Sequence, residues 1–216
     1  MTPAVRLIST NQTHSYWGLG HTEIKYMEDL LDEVPPMIAA LPHHELIKRS
    51  FVFTQPTPPH YAGRFKPPAI NLNVLYASRN IQTAVHEAVY YFLKERIDNH
   101  FSGQAEKKMA FGMIFDLKSF HDVRPHPDIQ KMMSKANYAE SHSYYMANQG
   151  LDGIIYPSCR YPQPKNVNFA VMNINCIDPG LHNSDNFEFS YIFPDVCHVT
   201  NIRRIIDHKI SWSQVS

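Results

Sequence analysis

The hydrophobic positions of this chain follow two periods, one helical and one typical of strands. Helical spacing predicts helices over residues 23–34 and 139–149, the second of which Gly150 is placed to end. A third helix is predicted behind Ser78 or Asn80, either of which can cap it. The apolar face of this third helix consists of Ile81, Ala84, Val85, Ala88 and Phe92.

Short apolar segments between turn-forming residues predict the strands. They cover residues 50–53, 73–77, 111–117, 154–156, 169–174, 196–199 and 203–206. Residues 54–68 hold five prolines and are predicted to form a loop. Helices and strands follow one another without regular β–α–β alternation. This order predicts an α+β fold rather than a doubly wound parallel sheet.

Composition narrows the class of protein. The chain has 216 residues, 44% of them hydrophobic, which suits a single domain with a buried core. Twenty basic and twenty acidic residues cancel, so no basic surplus favours a nucleic-acid partner. The three cysteines are far apart in sequence, which predicts reduced thiols rather than a disulfide framework. No signal peptide and no membrane-length apolar segment is recognised, so we expect a cytoplasmic protein without a membrane partner.

Several familiar motifs fail on spacing. His86-Glu87 lacks the second histidine of a helical zinc site, because Tyr90 stands at that position. Ser158 is not flanked by the glycines of a nucleophile elbow, and no histidine is placed by sequence to activate it. We therefore predict neither a metal site nor a covalent serine mechanism.

Three segments stand out together. The first is the arginine-bearing loop Gly63-Arg64-Phe65-Lys66-Pro67. The second is the strand Val74-Leu75-Tyr76, followed by a helix with Ala84-Val85-His86-Glu87. The third runs from Leu151-Asp152-Gly153-Ile154-Ile155-Tyr156-Pro157-Ser158-Cys159-Arg160 to Asn168-Phe169-Ala170-Val171.

In this order and at these separations, the segments resemble the RES domain, a family named for an Arg, a Glu and a Ser. The resemblance covers about residues 48–174. It implies a RES-type catalytic domain, which we place over residues 48–216. Residues 1–47 are not explained by the resemblance, and their helical spacing predicts an N-terminal helical extension of the same compact unit. The implied fold is a mixed-sheet core like that of ADP-ribosyltransferases, with flanking helices.

The resemblance also implies an activity. Family members include toxins that break NAD⁺ at the nicotinamide–ribose bond, by hydrolysis or phosphorolysis, and that a partner antitoxin or immunity protein silences. NAD⁺ is then the substrate, and no cofactor is required. Two alternatives stay open, namely a protein ADP-ribosyltransferase and an inactive RES-fold interaction module. An oligomer is possible.

Glu87, Arg64 and Tyr76 are candidate site residues with readable chemistry. The Glu87 carboxylate can stabilise the oxocarbenium-like ribose that forms as nicotinamide leaves. Arg64 offers a planar fork of donors for a phosphate, or it bonds backbone carbonyls and supports the loop. Tyr76 can stack on nicotinamide or bond a ribose, or it is a core tyrosine.

Ser158, Arg49 and Asn168 complete the candidate set. The Ser158 hydroxyl can bond the nicotinamide amide, a ribose or Glu87, or it caps backbone groups in a turn. Arg49 is the alternative phosphate ligand, and Asn168 a further substrate contact. Transferases often carry an acidic residue or a glutamine two positions before the catalytic glutamate, and the apolar Val85 there favours small nucleophiles over a protein acceptor.

Overall fold

A computed structural model gives the structure of the protein for part of its length. The described residues are 2–9, 63–68, 70, 72, 74–98, 105–135, 137–178, 184–201 and 206–216. The predicted helix over residues 23–34, the predicted strand over residues 50–53, most of the predicted loop and the candidate Arg49 lie outside this set.

The described strands form a single mixed sheet. In chain order they are β1 (Thr2–Ser9), β2 (Leu75–Ser78), β3 (Glu106–Phe115), β4 (Phe120–Asp122), β5 (Gly153–Pro157), β6 (Val167–Val171), β7 (Ile177–Asp178), β8 (Ser184–Ile192), β9 (Val196–Asn201) and β10 (Ile206–Ser211). Their order across the sheet is β10-β9-β8-β3-β1-β2-β6-β5-β4, with β7 paired to β3 beside β8. Every described pair is antiparallel except β4 with β5, which is parallel.

Four α-helices and one 3-10 turn accompany the sheet in the described part of the chain. They are α1 (Ile81–Asp98), α2 (Ile129–Met132), α3 (Ala139–Ala147), the 3-10 turn Ile174–Cys176 and α4 (Trp212–Val215). The predicted α+β class is confirmed, because a few helices accompany one mixed sheet whose strands are mainly antiparallel.

The first strand corrects the prediction for the N-terminus. Residues 1–47 were expected to be a helical extension, but Thr2–Ser9 form β1, near the middle of the sheet. Strand β1 pairs with β3 along its whole length and with β2 only at Val5↔Ser78. Residues 2–9 are therefore part of the domain's sheet and not of a helical extension.

Helix α1 begins and packs as its sequence predicts. The Asn80 side chain accepts a hydrogen bond from the Thr83 backbone N–H at 2.9 Å, so Asn80 and not Ser78 is the cap. Most of the predicted apolar face is buried, and Ile81 and Ala88 are half-buried. The helix packs on β8, β9, β10 and α4 through a cluster that includes the fully buried Phe92.

The two faces of the sheet bury different residues of the same strands. On β2 and β6, Leu75, Ala77, Val167, Phe169 and Val171 belong to one core cluster. Tyr76 and Ala170 alternate with them and belong to the cluster that α2 and α3 cover. This period of two places the polar residues of β2 and β6 on the helix-covered face.

The other predicted elements exist with shifted ends. The predicted strands are 73–77, 111–117, 154–156 and 196–199, and their described residues fall within or beside β2, β3, β5 and β9. The predicted strand over 169–174 is β6 followed by the 3-10 turn, and residues 203–205 are not described. Helix α3 ends at Ala147, and Gly150 adopts a left-handed conformation with φ 87° in the following turn.

Candidate active site

A cavity of about 300 Å³ opens where β1 and β2 diverge beyond their single paired position. The residues that line it come from β1, the arginine-bearing turn, β2, α1, the start of α3, and β5 and β6 with the segment after β5. They are Val5, Arg6, Leu7, Gly63, Arg64, Tyr76, Ala77, Ser78, Ala84, Glu87, Ala88, Tyr91, Tyr138, Tyr156, Cys159, Arg160 and Asn168. Four of the six candidate residues, Glu87, Arg64, Tyr76 and Asn168, therefore meet in one cavity.

The Glu87 carboxylate is held by one of its two oxygens. Its Oε1 accepts a hydrogen bond from the Ser158 hydroxyl at 2.7 Å and another from the Asn168 amide at 2.6 Å. No described residue donates to Oε2. The side chain is half-buried in the cavity wall, so Oε2 is left for a ligand.

Both donors to Glu87 are themselves oriented by other groups. The Ser158 oxygen accepts from the backbone N–H groups of Tyr161 at 3.0 Å and Arg160 at 3.3 Å, so its proton is directed to Glu87. The Ser78 hydroxyl donates to the Asn168 amide oxygen at 2.7 Å, which turns the amide nitrogen towards Glu87. A buried network of this kind rigidifies the group at its centre.

Ser158 is 2% exposed and is not among the residues that line the cavity. Of the three partners that its sequence suggested, the structure places Glu87 against its hydroxyl. In this geometry Ser158 contacts Glu87 rather than the cavity, as a residue that positions the carboxylate would.

A tight turn carries Arg64 into the cavity. Lys66 N–H donates to the Gly63 carbonyl at 3.0 Å, and Phe65 between them has φ 61°, a left-handed conformation that non-glycine residues rarely adopt. Full burial of Phe65, whose ring packs edge-on against Tyr156 at 5.3 Å, holds the turn in place.

Arg64 uses part of its donor set within the protein. Its guanidinium donates to the carbonyls of Met132 and of Ser134, the latter at 3.1 Å, and lies 4.9 Å from the centre of the Tyr138 ring. These two hydrogen bonds are those expected if Arg64 supports the loop, which is one of the two roles that the sequence left open. Arg64 nevertheless lines the cavity, and five N–H groups leave it donors for a ligand.

Tyr76 ties the turn to β2. Its hydroxyl donates to the Arg64 carbonyl, and its ring lies so close to Gly63 that a Cβ there would approach the ring carbon Cζ to 3.0 Å. Burial, the largest cause, raises the pKa of Tyr76 above its usual range, and burial likewise raises that of Tyr156. Both phenols are therefore neutral near pH 7 and remain hydrogen-bond donors.

Sequence reasoning missed several lining residues. Arg6 lies on β1, outside the segments that carried the resemblance, so no motif pointed to it. Arg160 stands two residues after Ser158 in the third segment of the resemblance, but its sequence position suggested no role for it. Tyr91 and Tyr138 gave no signal, because a tyrosine on a helix face or before a helix reads as an ordinary packing residue.

The charges around the cavity are unequal. Among the described residues that line it, the arginines are Arg6, Arg64 and Arg160, and the acidic side chain is Glu87. Arg64 and Arg160 are 9% and 4% exposed, and no described carboxylate lies within ion-pair distance of either. Buried cations without a counter-charge are costly, so this wall favours an anionic ligand.

Fold and cavity together define an α+β domain that presents one braced carboxylate among arginines and tyrosines. The family model for the RES domain matches residues 38–191, which is most of the chain. The protein therefore belongs to the RES-domain family, which is associated with NAD⁺-related toxin function.

A search of curated proteins found no match to this chain. Within the described ranges, no helix is long and apolar enough to cross a membrane. The same residues contain no group of three or more His, Cys, Asp or Glu side chains that could hold a metal ion.

Proposed function

We propose that this protein cleaves the nicotinamide–ribose bond of NAD⁺. The observation that carries the proposal is Glu87, whose Oε1 is fixed by two oriented donors and whose Oε2 has no described partner in a cavity lined by arginines. A carboxylate fixed before the reaction stabilises positive charge that develops beside it without having to reorganise.

In the proposed reaction, the bond between the ribose carbon and the nicotinamide nitrogen breaks, and the ring leaves as neutral nicotinamide with the bonding electron pair. The ribose carbon becomes oxocarbenium-like, and the Glu87 carboxylate stabilises it. Water then forms the new C–O bond and loses a proton to solvent, which gives ADP-ribose. Inorganic phosphate in place of water gives the phosphorylated product.

The rest of the cavity suits the rest of NAD⁺. The arginines, Arg64 and Arg160 above all, would bind the pyrophosphate, because a guanidinium matches phosphate oxygens in a bidentate manner. The four tyrosines of the wall would pack on the flat rings, and their faces attract the cationic nicotinamide.

The acceptor is a small molecule in this proposal. Val85, two residues before Glu87, is 6% exposed and packs in the core cluster between α1 and the sheet. The described wall therefore offers no second acidic group at the position where protein-modifying transferases often carry one. Label transfer to protein in a lysate would favour the transferase alternative instead.

The test is NAD⁺ consumption by the purified full chain, with and without phosphate, read by product mass. Glu87→Gln should abolish nicotinamide release while keeping the fold, because glutamine can still accept from Ser158 and Asn168. Glu95→Gln is the matched control, since Glu95 lies on the same helix with its side chain 67% exposed. Unchanged turnover in Glu87→Gln would refute the assignment of the carboxylate.

We also propose that a partner protein silences the enzyme by covering the cavity. Tyr91 lines the cavity and is 61% exposed, so a partner that binds over it would block entry of the dinucleotide. A silencing partner should protect Tyr91 from solvent and stop nicotinamide release at stoichiometric amounts. Release that continues with the partner bound would contradict this mode of silencing.

A further inference from the structure

Arg160 occupies an unusual position for a charged residue. Its side chain is 4% exposed, lines the cavity and has no described carboxylate within ion-pair distance. A buried guanidinium in such a place needs neutral groups that hold it in a fixed direction until an anion arrives.

Two neutral groups supply that support. Arg160 Nη1 donates to the Val215 carbonyl at 3.2 Å, and the guanidinium carbon lies 3.3 Å from the centre of the Tyr90 ring. Tyr90 belongs to α1, the helix that carries Glu87, whereas Val215 belongs to α4 at the far end of the sequence.

Helix α4 is firmly attached at this place. Its N-terminus has a capping box between Ser211 and Gln214, and the Trp212 N–H donates to the Asp195 carbonyl at 2.8 Å. Trp212 stacks on Tyr90, the second group that supports Arg160; the ring centres are 5.3 Å apart and the ring planes differ by 15°. Val215 is fully buried in the core cluster of α1, β8, β9 and β10.

We infer that α4, which lies beyond the residues matched by the family model, is a positioning element of the substrate site. Its Val215 carbonyl and its Trp212 ring, through Tyr90, hold the Arg160 guanidinium against the cavity, where it binds a phosphate of the ligand. The identity of that phosphate, as part of a dinucleotide, rests on the proposed function.

The experiment measures ligand affinity separately from turnover. ADP-ribose carries the pyrophosphate but no nicotinamide bond, so its binding to the full chain is measured by calorimetry. Trp212→Ala should weaken ADP-ribose binding and raise KM for NAD⁺ by about tenfold, the factor that corresponds to about 1.4 kcal/mol. The kcat should change much less, because Glu87 and its donors are untouched.

Two further variants separate positioning from general loss of stability. Trp212→Phe keeps an aromatic ring on Tyr90 and should retain most of the affinity. Ile210→Val removes one methylene from the same core cluster but keeps the Trp212 ring on Tyr90 and the Val215 carbonyl, and should leave ADP-ribose affinity unchanged. If Trp212→Ala does not fold, Trp212→Leu keeps apolar volume without the ring stack and takes its place.

The outcomes are distinguishable. Folded Trp212→Ala or Trp212→Leu that binds ADP-ribose as tightly as the wild type would overturn the inference, whatever the activity. A wild-type protein that binds ADP-ribose with this dependence on Trp212 but consumes no NAD⁺ would overturn the proposed function and leave the inference standing. A wild-type protein that neither binds ADP-ribose nor consumes NAD⁺ would overturn both the inference and the proposed function.

Discussion

Replacing Ser158 by alanine removes one of the two hydrogen bonds to Oε1 of Glu87 and leaves the Asn168 bond in place. It also takes the acceptor away from the backbone N–H groups of Arg160 and Tyr161. Since Ser158 does not line the cavity, the substitution leaves the side chains of the cavity wall in place. An effect on kcat then passes through the position of the Glu87 carboxylate, whereas the lost backbone bond to Arg160 would act on substrate binding.

The magnitude follows from the kind of bond that is lost. A hydrogen bond to a charged group contributes about 1.5–3 kcal/mol, which corresponds to about a 10- to 150-fold change in rate if the bond matters only in the transition state. We therefore expect kcat for NAD⁺ cleavage to fall within that range, with KM little changed. The two backbone N–H groups left without an acceptor should lower the free energy of unfolding by about 1–3 kcal/mol.

The assay is nicotinamide release under saturating NAD⁺, at a temperature at which circular dichroism shows the variant fully folded. Ser119→Ala is the control, because Ser119 is an exposed serine outside the cavity wall. A kcat for Ser158→Ala within about twofold of the wild type would refute the positioning role. A large rise in KM at constant kcat would instead indicate that Ser158 supports substrate binding, either through the backbone of Arg160 or by direct contact.

Two further predictions concern the cavity wall. Gly63→Ala should destabilise the protein by about 1–3 kcal/mol in denaturant unfolding, because the new Cβ would overlap the Tyr76 hydroxyl. Gly112→Ala is the control, since its Cβ would meet only the Ala4 carbonyl, at 4.0 Å. Equal unfolding midpoints for the two variants would contradict the reasoning. Burial raises the pKa of the Cys159 thiol, so Cys159 should stay protonated near neutral pH and react slowly with iodoacetamide. The alkylation rate, read by peptide mass, should rise with pH and fall when ADP-ribose is bound. Rapid alkylation at neutral pH would contradict this prediction.

The elements that the sequence predicts best are those whose signals are local. Helix α1 has an apolar face, a capping asparagine and a preceding strand, and all three are found. Strand β1 has no such signal, since its eight residues include Pro3 and Arg6 and its main partner, β3, begins about a hundred residues later. Among the described strands, β1 pairs at Pro3 with β3 alone, which is the setting of an edge position where proline is found in sheets.

The candidate site shows the same division. Motif order placed Glu87, Arg64, Tyr76 and Asn168 at one site, and the structure brings them to one cavity. Arg6 and the α4 support of Arg160 depend on long-range strand pairing and packing, which no motif records. Arg49 lies outside the described residues, and its role as a phosphate ligand stays a prediction.

The geometry also separates residues that the sequence presents as equals. An Arg, a Glu and a Ser at one site suggest three substrate contacts, yet the Ser158 hydroxyl donates to Glu87 and the Arg64 guanidinium donates to two backbone carbonyls. The Glu87 carboxylate is thus positioned through Oε1 by groups of the protein, whereas Arg64 and Arg160, buried in the same wall, have no described carboxylate within ion-pair distance. Such a site suits an anionic ligand at its arginines and positive charge developing beside its carboxylate, which is what the proposed departure of neutral nicotinamide from the ribose of NAD⁺ requires.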